Sequence, residues 1–325
     1  MVNIAELLNL PRLADDLDGL EDALHRSVVA DDPFLSQVAG HLITAGGKRL
    51  RPALALTSAA AGGVDAVPDV VQGGVSVELV HLGSLYHDDV MDDGTSRRGV
   101  ETVNARWGNL VAILAGDFLL ARASEIAASL GVEVAGLLAA TIGRLCEGQV
   151  GELRTAFDVT RSEEAYLASI AGKTASLLSA ACRIGGITAG LDRSCIDALT
   201  AYGHAFGMVF QIRDDILDVV GTEESLGKRA GQDLVQGTYT LPVIVALAEP
   251  EVGDELRALL GKPLDAPERD KAREIVKSNG AIAAARVAAG RWADRAADAA
   301  RAFPPGPVTT AMAEFGHRLL EDVSA

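Results

Sequence analysis

Apolar residues recur along most of the chain at the spacing of one face of an α-helix, and no stretch shows sustained strand-like alternation. This pattern predicts an all-α protein with essentially no sheet. Gly46-Gly47 and Gly190 mark helix ends, and Pro304–Pro307 separates the last two helices. We find no repeat or low-complexity linker, so a single domain over 1–325 is the simplest interpretation. The predicted helices lie near 34–45, 53–61, 69–91, 104–129, 133–156, 163–188, 193–219, 241–248, 251–260, 267–278, 280–302 and 308–322.

Composition narrows the range of partners. Hydrophobic residues make up 49% of the 325 positions and aromatic residues 4%, which suits closely packed helices. The formal net charge of −16 repels nucleic acid and anionic lipid, so we expect neither as a partner. A small anion would need a local basic pocket. The N-terminus has no signal-peptide pattern, and no apolar run is long enough to span a bilayer. We therefore expect a soluble, cytoplasmic protein with no integral membrane segment.

Two aspartate clusters, 88–92 and 214–218, end apolar helical patterns and share the form Asp-Asp-x-x-Asp. The first and last carboxylates of each cluster lie on one helix face, where like charges destabilise the helix. A divalent cation would relieve this repulsion, and oxygen ligands without histidine or cysteine favour Mg²⁺ over zinc. A solvated helix end explains a single cluster equally well. Two copies at matching positions argue against chance, and we expect them to face each other and hold a diphosphate.

Basic residues are scarce, so their clusters are informative. Lys48 and Arg51 lie between a glycine stop and a helix start, where anions bind readily. A solvated charge run is the alternative explanation, weakened by the scarcity of such clusters on an acidic chain. Arg97-Arg98 follows the first aspartate cluster, although taken alone this segment is better explained as a surface loop. Lys173-Thr174 interrupts an apolar helix, and the lysine could equally extend to solvent or point into a cavity.

Three further polar residues keep two explanations each. Gln211 shares a helix face with Asp214 but could be a core amide. Lys228 follows the second cluster and could be an ordinary loop lysine. His81 lies seven residues before Asp88, and a lone helical histidine is usually structural.

In this order, the motifs resemble those of the trans-isoprenyl diphosphate synthases, the polyprenyl synthetase family, over roughly residues 35–245. The resemblance implies an isoprenoid-synthase-type helical bundle around a deep central cavity, usually a homodimer. It also implies Mg²⁺-dependent condensation of isopentenyl diphosphate with an allylic diphosphate, such as farnesyl or geranylgeranyl diphosphate. The motifs are Gly-Gly-Lys-Arg-Leu-Arg-Pro (46–52), Val-Glu-Leu-Val-His-Leu (77–82), 88–92 with Arg97-Arg98-Gly99, Gly172-Lys173-Thr174, Phe210-Gln211, 214–218 and Leu226-Gly227-Lys228.

The resemblance also implies a role for each matching residue. The implied Mg²⁺ ligands are Asp88, Asp92 and Asp214, supported by Asp89, Asp215 and Asp218. The implied ligands of the allylic diphosphate are Arg97, Lys173 and Lys228. The implied ligands of isopentenyl diphosphate are Lys48, Arg51, His81 and Arg98, and the residues lining the reacting centre are Thr174 and Gln211. Two lysines that the family often carries are replaced here by Gln232 and Thr238. Lys228 remains, so we expect activity to survive.

Product length is predicted from the positions just before the first aspartate cluster. In the resembling family, bulky aromatic residues there stop elongation early, whereas this chain has Gly83 and Ser84. We expect a long product of about C30–C50, with geranylgeranyl diphosphate as the alternative. Gly83 and Ser84 could also serve only to let helices pack closely.

Three other functions compete with this interpretation. A terpene cyclase would not need the isopentenyl diphosphate residues, and its second metal motif normally differs. A non-catalytic partner subunit would be expected to lose aspartates, and neither motif has lost any. A purely structural helical protein gives no reason for pairing these acidic and basic clusters.

Overall fold

The computed structural model describes residue 10 and residues 12–222, 229–321 and 323. The regular secondary structure of this part of the chain is almost entirely helical, and its strands are the two-residue pair β1 (Ser96–Arg97) and β2 (Val100–Glu101). The prediction of an all-α protein is confirmed. No helix here is long and apolar enough to cross a membrane. Lys228 lies outside the described residues.

The helices follow the predicted pattern closely, with two omissions, Leu13–Ser27 and the five-residue helix Gln232–Gln236. The first helix was not predicted, although its buried Leu13, Leu20 and Leu24 show helical spacing. The α-helices are α1 Leu13–Ser27, α2 Pro33–Ala39, α3 His41–Thr44, α4 Leu50–Ala61, α5 Pro68–Met91, α6 Val103–Trp107, α7 Asn109–Ser129, α8 Val132–Arg154, α9 Glu163–Ile170, α10 Ser176–Thr188, α11 Arg193–Val220, α12 Gln232–Gln236, α13 Leu241–Ala248, α14 Pro250–Leu259, α15 Ala266–Ser278, α16 Ala281–Ala300 and α17 Pro307–Glu321.

Three helices predicted as continuous are interrupted, each at a glycine or beside one. Gly40 separates α2 from α3, and Gly108, with φ of 90°, separates α6 from α7. Between α9 and α10 the chain forms a π-turn over Ala171–Ala175. The π-turn contains Gly172, where a Cβ would lie 2.8 Å from the Arg144 carbonyl oxygen. Close approach of two backbones therefore accompanies the break in α-helical geometry.

The chain divides into two compact units, each of which is described by itself. The first unit comprises residues up to Ile142, Leu177–Gly203 and Ala300–Ala311, and the second comprises Gly143–Ser176, His204–Ala299 and the chain from Met312. A single domain over 1–325 and a deep central cavity stay predictions.

The first unit is organised around α5, which packs against α1, α4 and α7. Buried residues on α5 include Val75, Val77, Leu79 and Val80, so successive residues on all sides of the helix are inside. A helix that is apolar all round must be surrounded by other elements. The aspartate cluster 88–92 therefore lies at the end of an enclosed helix of this unit.

The second unit has its own hydrophobic core around the C-terminal half of α11. Met208, Ile212 and Ile216 from that helix join a buried cluster with residues of α13, α15 and α16. The rings of Phe206 and Phe315 stack with centroids 4.7 Å apart. This core fixes the helix that ends in the second aspartate cluster.

Candidate active site

A short hairpin presents the two arginines that follow the first aspartate cluster. Ser96 pairs with Glu101 and Arg97 with Val100, so Arg98 and Gly99 form a two-residue turn. Both turn residues have positive φ, 54° and 78°, as a type I′ turn requires. The turn directs the adjacent arginines to different partners.

Arg97 pairs with the second aspartate of the first cluster. Its Nε lies 2.8 and 3.0 Å from the two carboxylate oxygens of Asp89, and its NH2 group lies 2.7 Å from one of them. Asp89 is buried, whereas Asp88 is half-buried and Asp92 is exposed. The guanidinium compensates a carboxylate that would be costly to bury alone. Asp89 therefore has a structural role that the sequence did not reveal.

Arg98 anchors the hairpin to the loop before α4. Its NH1 group donates to the carbonyl oxygens of Leu42, at 2.9 Å, and of Gly46. A Cβ at Gly47 would lie 2.8 Å from the Arg98 guanidinium. The glycine pair therefore leaves space for this arginine as well as ending a helix. Lys48, in the same loop, is exposed.

The arginine of this loop, Arg49, was not predicted as a site residue. It has a φ of 48°, is buried, and makes two 2.6 Å hydrogen bonds to Glu21. Its NH1 group also lies 3.1 Å from Oε1 of Glu78, which is buried on α5. These ion pairs hold the loop against the first unit's core.

The arginine cluster is defined as Arg49, Arg51, Arg97 and Arg98, the four arginines whose positive charges act on His81. Burial, followed by the positive charges of these arginines, places the pKa of His81 well below its ordinary 6.5. His81 is therefore neutral at pH 7.

Burial also acts on Arg51. It lowers the pKa of Arg51 to about 10, so this side chain keeps its charge at pH 7. Its Nε is a buried donor without a hydrogen-bond partner among the described residues. A buried donor of this kind is favourable where an anion can accept from it.

Gly83 and Ser84 have different surroundings. A Cβ at Gly83 would lie 3.0 Å from the Gly116 carbonyl oxygen and 3.2 Å from Leu120 Cγ. Gly83 therefore permits close packing of α5 on α7, which was the alternative explanation for this position. Ser84 is half-buried and donates to the His81 carbonyl oxygen at 2.8 Å.

In the second unit, a chain of hydrogen bonds joins the predicted reacting-centre residues to the second aspartate cluster. The Thr174 hydroxyl donates to Gln211 Oε1 at 2.6 Å, and Gln211 Nε2 donates to Asp215 Oδ1 at 2.8 Å. The Tyr166 hydroxyl donates to the other carboxylate oxygen, Oδ2, at 2.5 Å. Burial raises the pKa of Asp215 to about 7, although both of these hydrogen bonds oppose the rise.

The other two aspartates of the second cluster are arranged differently. Asp214 lies 3.2 Å from NH1 of Arg213, and its side chain is 41% exposed. Asp218 is buried and accepts from the backbone N–H of Asp233 at 3.1 Å. In both clusters, then, the first aspartate is partly exposed and the second is buried.

Lys173, in the π-turn, pairs with Glu152 at 2.7 Å, and neither side chain is fully exposed. The ammonium group of Lys173 thus has a carboxylate partner, which neither of the two explanations from the sequence had included. Glu152 was not predicted.

The structure thus brings the predicted residues together in two groups. The first unit joins Arg51, His81, Asp89, Arg97 and Arg98, and the second joins Thr174, Gln211 and Asp215. No group of three or more His, Cys, Asp or Glu close enough to hold a metal ion occurs in the described residues.

Two residues that sequence reasoning missed had a usable signal. Tyr166 precedes Lys173 by seven positions, and Glu78 lies inside the motif Val-Glu-Leu-Val-His-Leu. Glu152 and Glu21 carried no such signal, because their partners are distant in sequence.

Comparison with known proteins decides the family. The sequence profile described as Polyprenyl synthetase matches residues 32–278. The chain belongs to the polyprenyl synthetase family. The resemblance of the motifs is therefore confirmed, and with it the expectation of a prenyltransferase.

Individual polyprenyl synthetases are similar over most of the chain. It is 40% identical to heptaprenyl diphosphate synthase component 2 of Geobacillus stearothermophilus, covering 87% of this chain and 88% of that protein. It is 39% identical to nonaprenyl diphosphate synthase of Mycobacterium tuberculosis, covering 87% and 85%. The crystal structure of polyprenyl synthase from Caulobacter crescentus, complexed with calcium and isoprenyl diphosphate, superposes with a TM-score of 0.91 and 33% identity, covering 98% of each chain.

We predict that His81 stays neutral as the pH is lowered through 6.5, because burial and the neighbouring arginines oppose its protonation. The unfolded chain binds that proton more readily, so the contribution of His81 to folding stability is present above pH 6.5 and is lost as the pH falls. NMR titration of the imidazole signals, assigned by their loss in His81→Gln, measures the pKa. Protonation of His81 at or above pH 6.5 would contradict the prediction.

Proposed function

We propose that the chain extends an allylic diphosphate by head-to-tail condensation with isopentenyl diphosphate, giving a trans-polyprenyl diphosphate of about C30–C50. The observation that carries this proposal is the arginine cluster beside the first aspartate motif, on a chain of net charge −16. Arg49 and Arg97 have carboxylate partners, whereas the buried Nε of Arg51 has no hydrogen-bond partner among the described residues and favours a bound anion. The names of the hepta- and nonaprenyl diphosphate synthases support the long product. We propose the cytoplasm as its compartment.

The first aspartate cluster fits a divalent cation. Asp88 and Asp92 lie at the end of α5, where the last carbonyl groups already carry partial negative charge, so two carboxylates there favour a cation. Oxygen ligands with room for water and phosphate suit Mg²⁺. We propose Asp88 and Asp92 in the first cluster, and Asp214 in the second cluster, as Mg²⁺ ligands. When bound, Mg²⁺ would help to neutralise the negative charge of the diphosphate.

Cationic side chains divide between the two substrates in this proposal. Arg97, Lys173 and Lys228 hold the allylic diphosphate, and in this structure Asp89 and Glu152 fix the first two. The residues that hold isopentenyl diphosphate are Lys48, Arg51, His81 and Arg98. Neutral His81 supplies a hydrogen bond without a charge, whereas the buried Nε of Arg51 supplies a donor.

The reaction follows from these roles. The allylic carbon–oxygen bond breaks, and diphosphate leaves with the electron pair while the cationic side chains stabilise its negative charge. The C3=C4 double bond of isopentenyl diphosphate attacks the allylic cation and forms the new carbon–carbon bond. Loss of a proton restores a double bond, and we assign the released diphosphate as its acceptor. Thr174 and Gln211 line the reacting centre.

We predict that Asp88→Asn or Asp214→Asn lowers turnover by about 100-fold or more, as expected when a charge-stabilising group is lost. The assay incubates the protein with Mg²⁺, isopentenyl diphosphate and farnesyl diphosphate and reads product masses. Asp93→Asn is the matched control, because Asp93 lies just outside the motif and its φ of 50° suits asparagine. Near-normal turnover of both cluster variants would refute the assignment.

The wild-type product distinguishes the competing functions in the same assay. A ladder ending at a defined long chain supports the synthase. A single C20 product supports the proposed condensation but contradicts the predicted product length. A cyclic hydrocarbon indicates a terpene cyclase, and no consumption by folded protein indicates that a partner component is required. The name of the Geobacillus relative, component 2, makes the last outcome worth testing.

We predict that Ser84→Phe shortens the product, because an aromatic ring one helical turn before Asp88 would obstruct the growing chain. The product distribution with farnesyl diphosphate measures this, and Ser84→Ala is the control that should leave it unchanged. Gly83 is a poorer test, because any side chain there meets the α7 backbone. An unaltered distribution in Ser84→Phe would remove Ser84 from the chain-length determinants.

We propose a homodimer, supported by an apolar surface of the first unit. Leu110, Ile113 and Leu114 on α7 are 72%, 41% and 57% exposed and lie at helical spacing on one face. A contiguous exposed apolar face commonly marks an interaction surface. A second copy of the chain is the occupant proposed here.

We predict that Leu110→Asp with Leu114→Asp gives a monomer, because two desolvated carboxylates would oppose association through this face. Light scattering after size exclusion measures the mass of the particle. Val132→Asp is the control, because Val132 is 91% exposed and lies on α8, away from this face. An unchanged mass in the double variant would show that α7 is not the interface.

A further inference from the structure

The hydrogen-bond relay of the second unit extends beyond the residues assigned to the reacting centre. It runs from Thr174 through Gln211 and Asp215 to Tyr166, with donor–acceptor distances of 2.6, 2.8 and 2.5 Å. Tyr166 and Asp215 are 1% and 4% exposed. Buried hydrogen bonds of this kind are costly to break, because water cannot replace the lost partner. The relay is therefore a fixed part of the second unit.

In this structure the relay donates in one direction. Tyr166 donates to one oxygen of Asp215, and Gln211 turns its NH₂ group towards the other, so both carboxylate oxygens act as acceptors. The amide oxygen is thereby left for Thr174, and the threonine hydroxyl must donate to it. Because its proton is donated to Gln211, the Thr174 hydroxyl can only accept further hydrogen bonds. Tyr166, which donates to the second oxygen of Asp215, holds the carboxylate in this orientation.

Tyr166 is itself held from its other side by Arg161. The Arg161 guanidinium carbon lies 5.7 Å from the centroid of the Tyr166 ring, within range of a cation–π contact. Arg161 is buried, and its NH1 group donates to the Tyr239 carbonyl oxygen at 3.0 Å. The backbone of the second unit thus fixes Arg161, which in turn restricts the ring that orients Asp215.

We propose that Tyr166 is a positioning residue for catalysis, acting through Asp215 and Gln211 to set which way the Thr174 hydroxyl points. Without the Tyr166 hydroxyl, one oxygen of buried Asp215 loses its donor and the carboxylate can turn away from Gln211. The amide is then no longer constrained, and Thr174 can present its proton where it otherwise presents lone pairs. A proton directed at a developing cation is unfavourable. The inference rests on the proposed function, because Thr174 is placed at the reacting centre there.

The test is a set of kinetic measurements on Tyr166→Phe, which removes the hydroxyl and keeps the ring. We expect kcat to fall about 10-fold, the lower end of effects reported for groups that orient a catalytic ligand. KM for isopentenyl diphosphate should stay within about two-fold, because the proposed isopentenyl diphosphate residues are outside the relay. The wild-type protein is assayed in parallel, so absence of wild-type turnover would count against the proposed function and not against the relay.

Double variants at Tyr166 and Thr174 test whether Tyr166 acts through the Thr174 hydroxyl or only stabilises the fold. In Thr174→Val the hydroxyl is gone, so adding Tyr166→Phe should lower kcat by less than about two-fold further. In Thr174→Ser the hydroxyl is kept, so adding Tyr166→Phe should again lower kcat by about 10-fold. Equal losses in the two backgrounds, or no loss of kcat in Tyr166→Phe alone, would overturn the proposal.

Tyr239→Phe is the matched control for loss of a buried tyrosine hydroxyl in the same unit. The Tyr239 hydroxyl accepts from the Gly261 backbone N–H at 2.6 Å and is outside the relay. We expect similar losses of Tm in Tyr239→Phe and Tyr166→Phe, with kcat lowered only in the latter. A much larger loss of Tm in Tyr166→Phe with additive kinetics would make its role structural.

Discussion

A carboxylate inside a folded protein requires donors, because burying it without them costs several kcal/mol. The second aspartate of each cluster meets this requirement within its own unit. Asp89 accepts hydrogen bonds from the guanidinium of Arg97, and Asp215 accepts them from the hydroxyl of Tyr166 and the amide of Gln211. Adjacent helical residues point about 100° apart, so fixing the second aspartate turns the first in another direction. Asp88 and Asp214 are accordingly the partly exposed members of their clusters.

The fold was largely predictable because helical periodicity is strong, and the failures have local causes. Gly40 and Gly108 break helices whose apolar spacing continues across them, so spacing alone could not show the break. The helix Leu13–Ser27 was within reach, since its buried leucines are regularly spaced. The π-turn was beyond prediction, because it depends on the close approach of Gly172 to Gly148 and Arg144, which are distant in sequence.

The candidate site was predicted by residue type and order, whereas the partners of those residues were not. Repeated aspartates and scarce arginines are visible in one sequence, but the pairing of Lys173 with Glu152 depends on how two helices pack. Gly83 shows the converse case. Its small size was noted as a possible opening for a long product, but the same size is required by the Gly116 carbonyl oxygen opposite.

The π-turn alters the angular relation between residues on either side of it. In an uninterrupted α-helix, Tyr166 and Lys173 would be in phase, since seven residues complete almost two turns. A single π-turn accommodates about one extra residue, which rotates everything after it by about 100°. Thr174 lies inside the π-turn, so part of this rotation turns its side chain towards the phase that Lys173 would have had, in line with Tyr166. Restoring regular α-helical winding here would therefore turn the Thr174 hydroxyl away from Gln211 and bring Lys173 towards the phase of Tyr166.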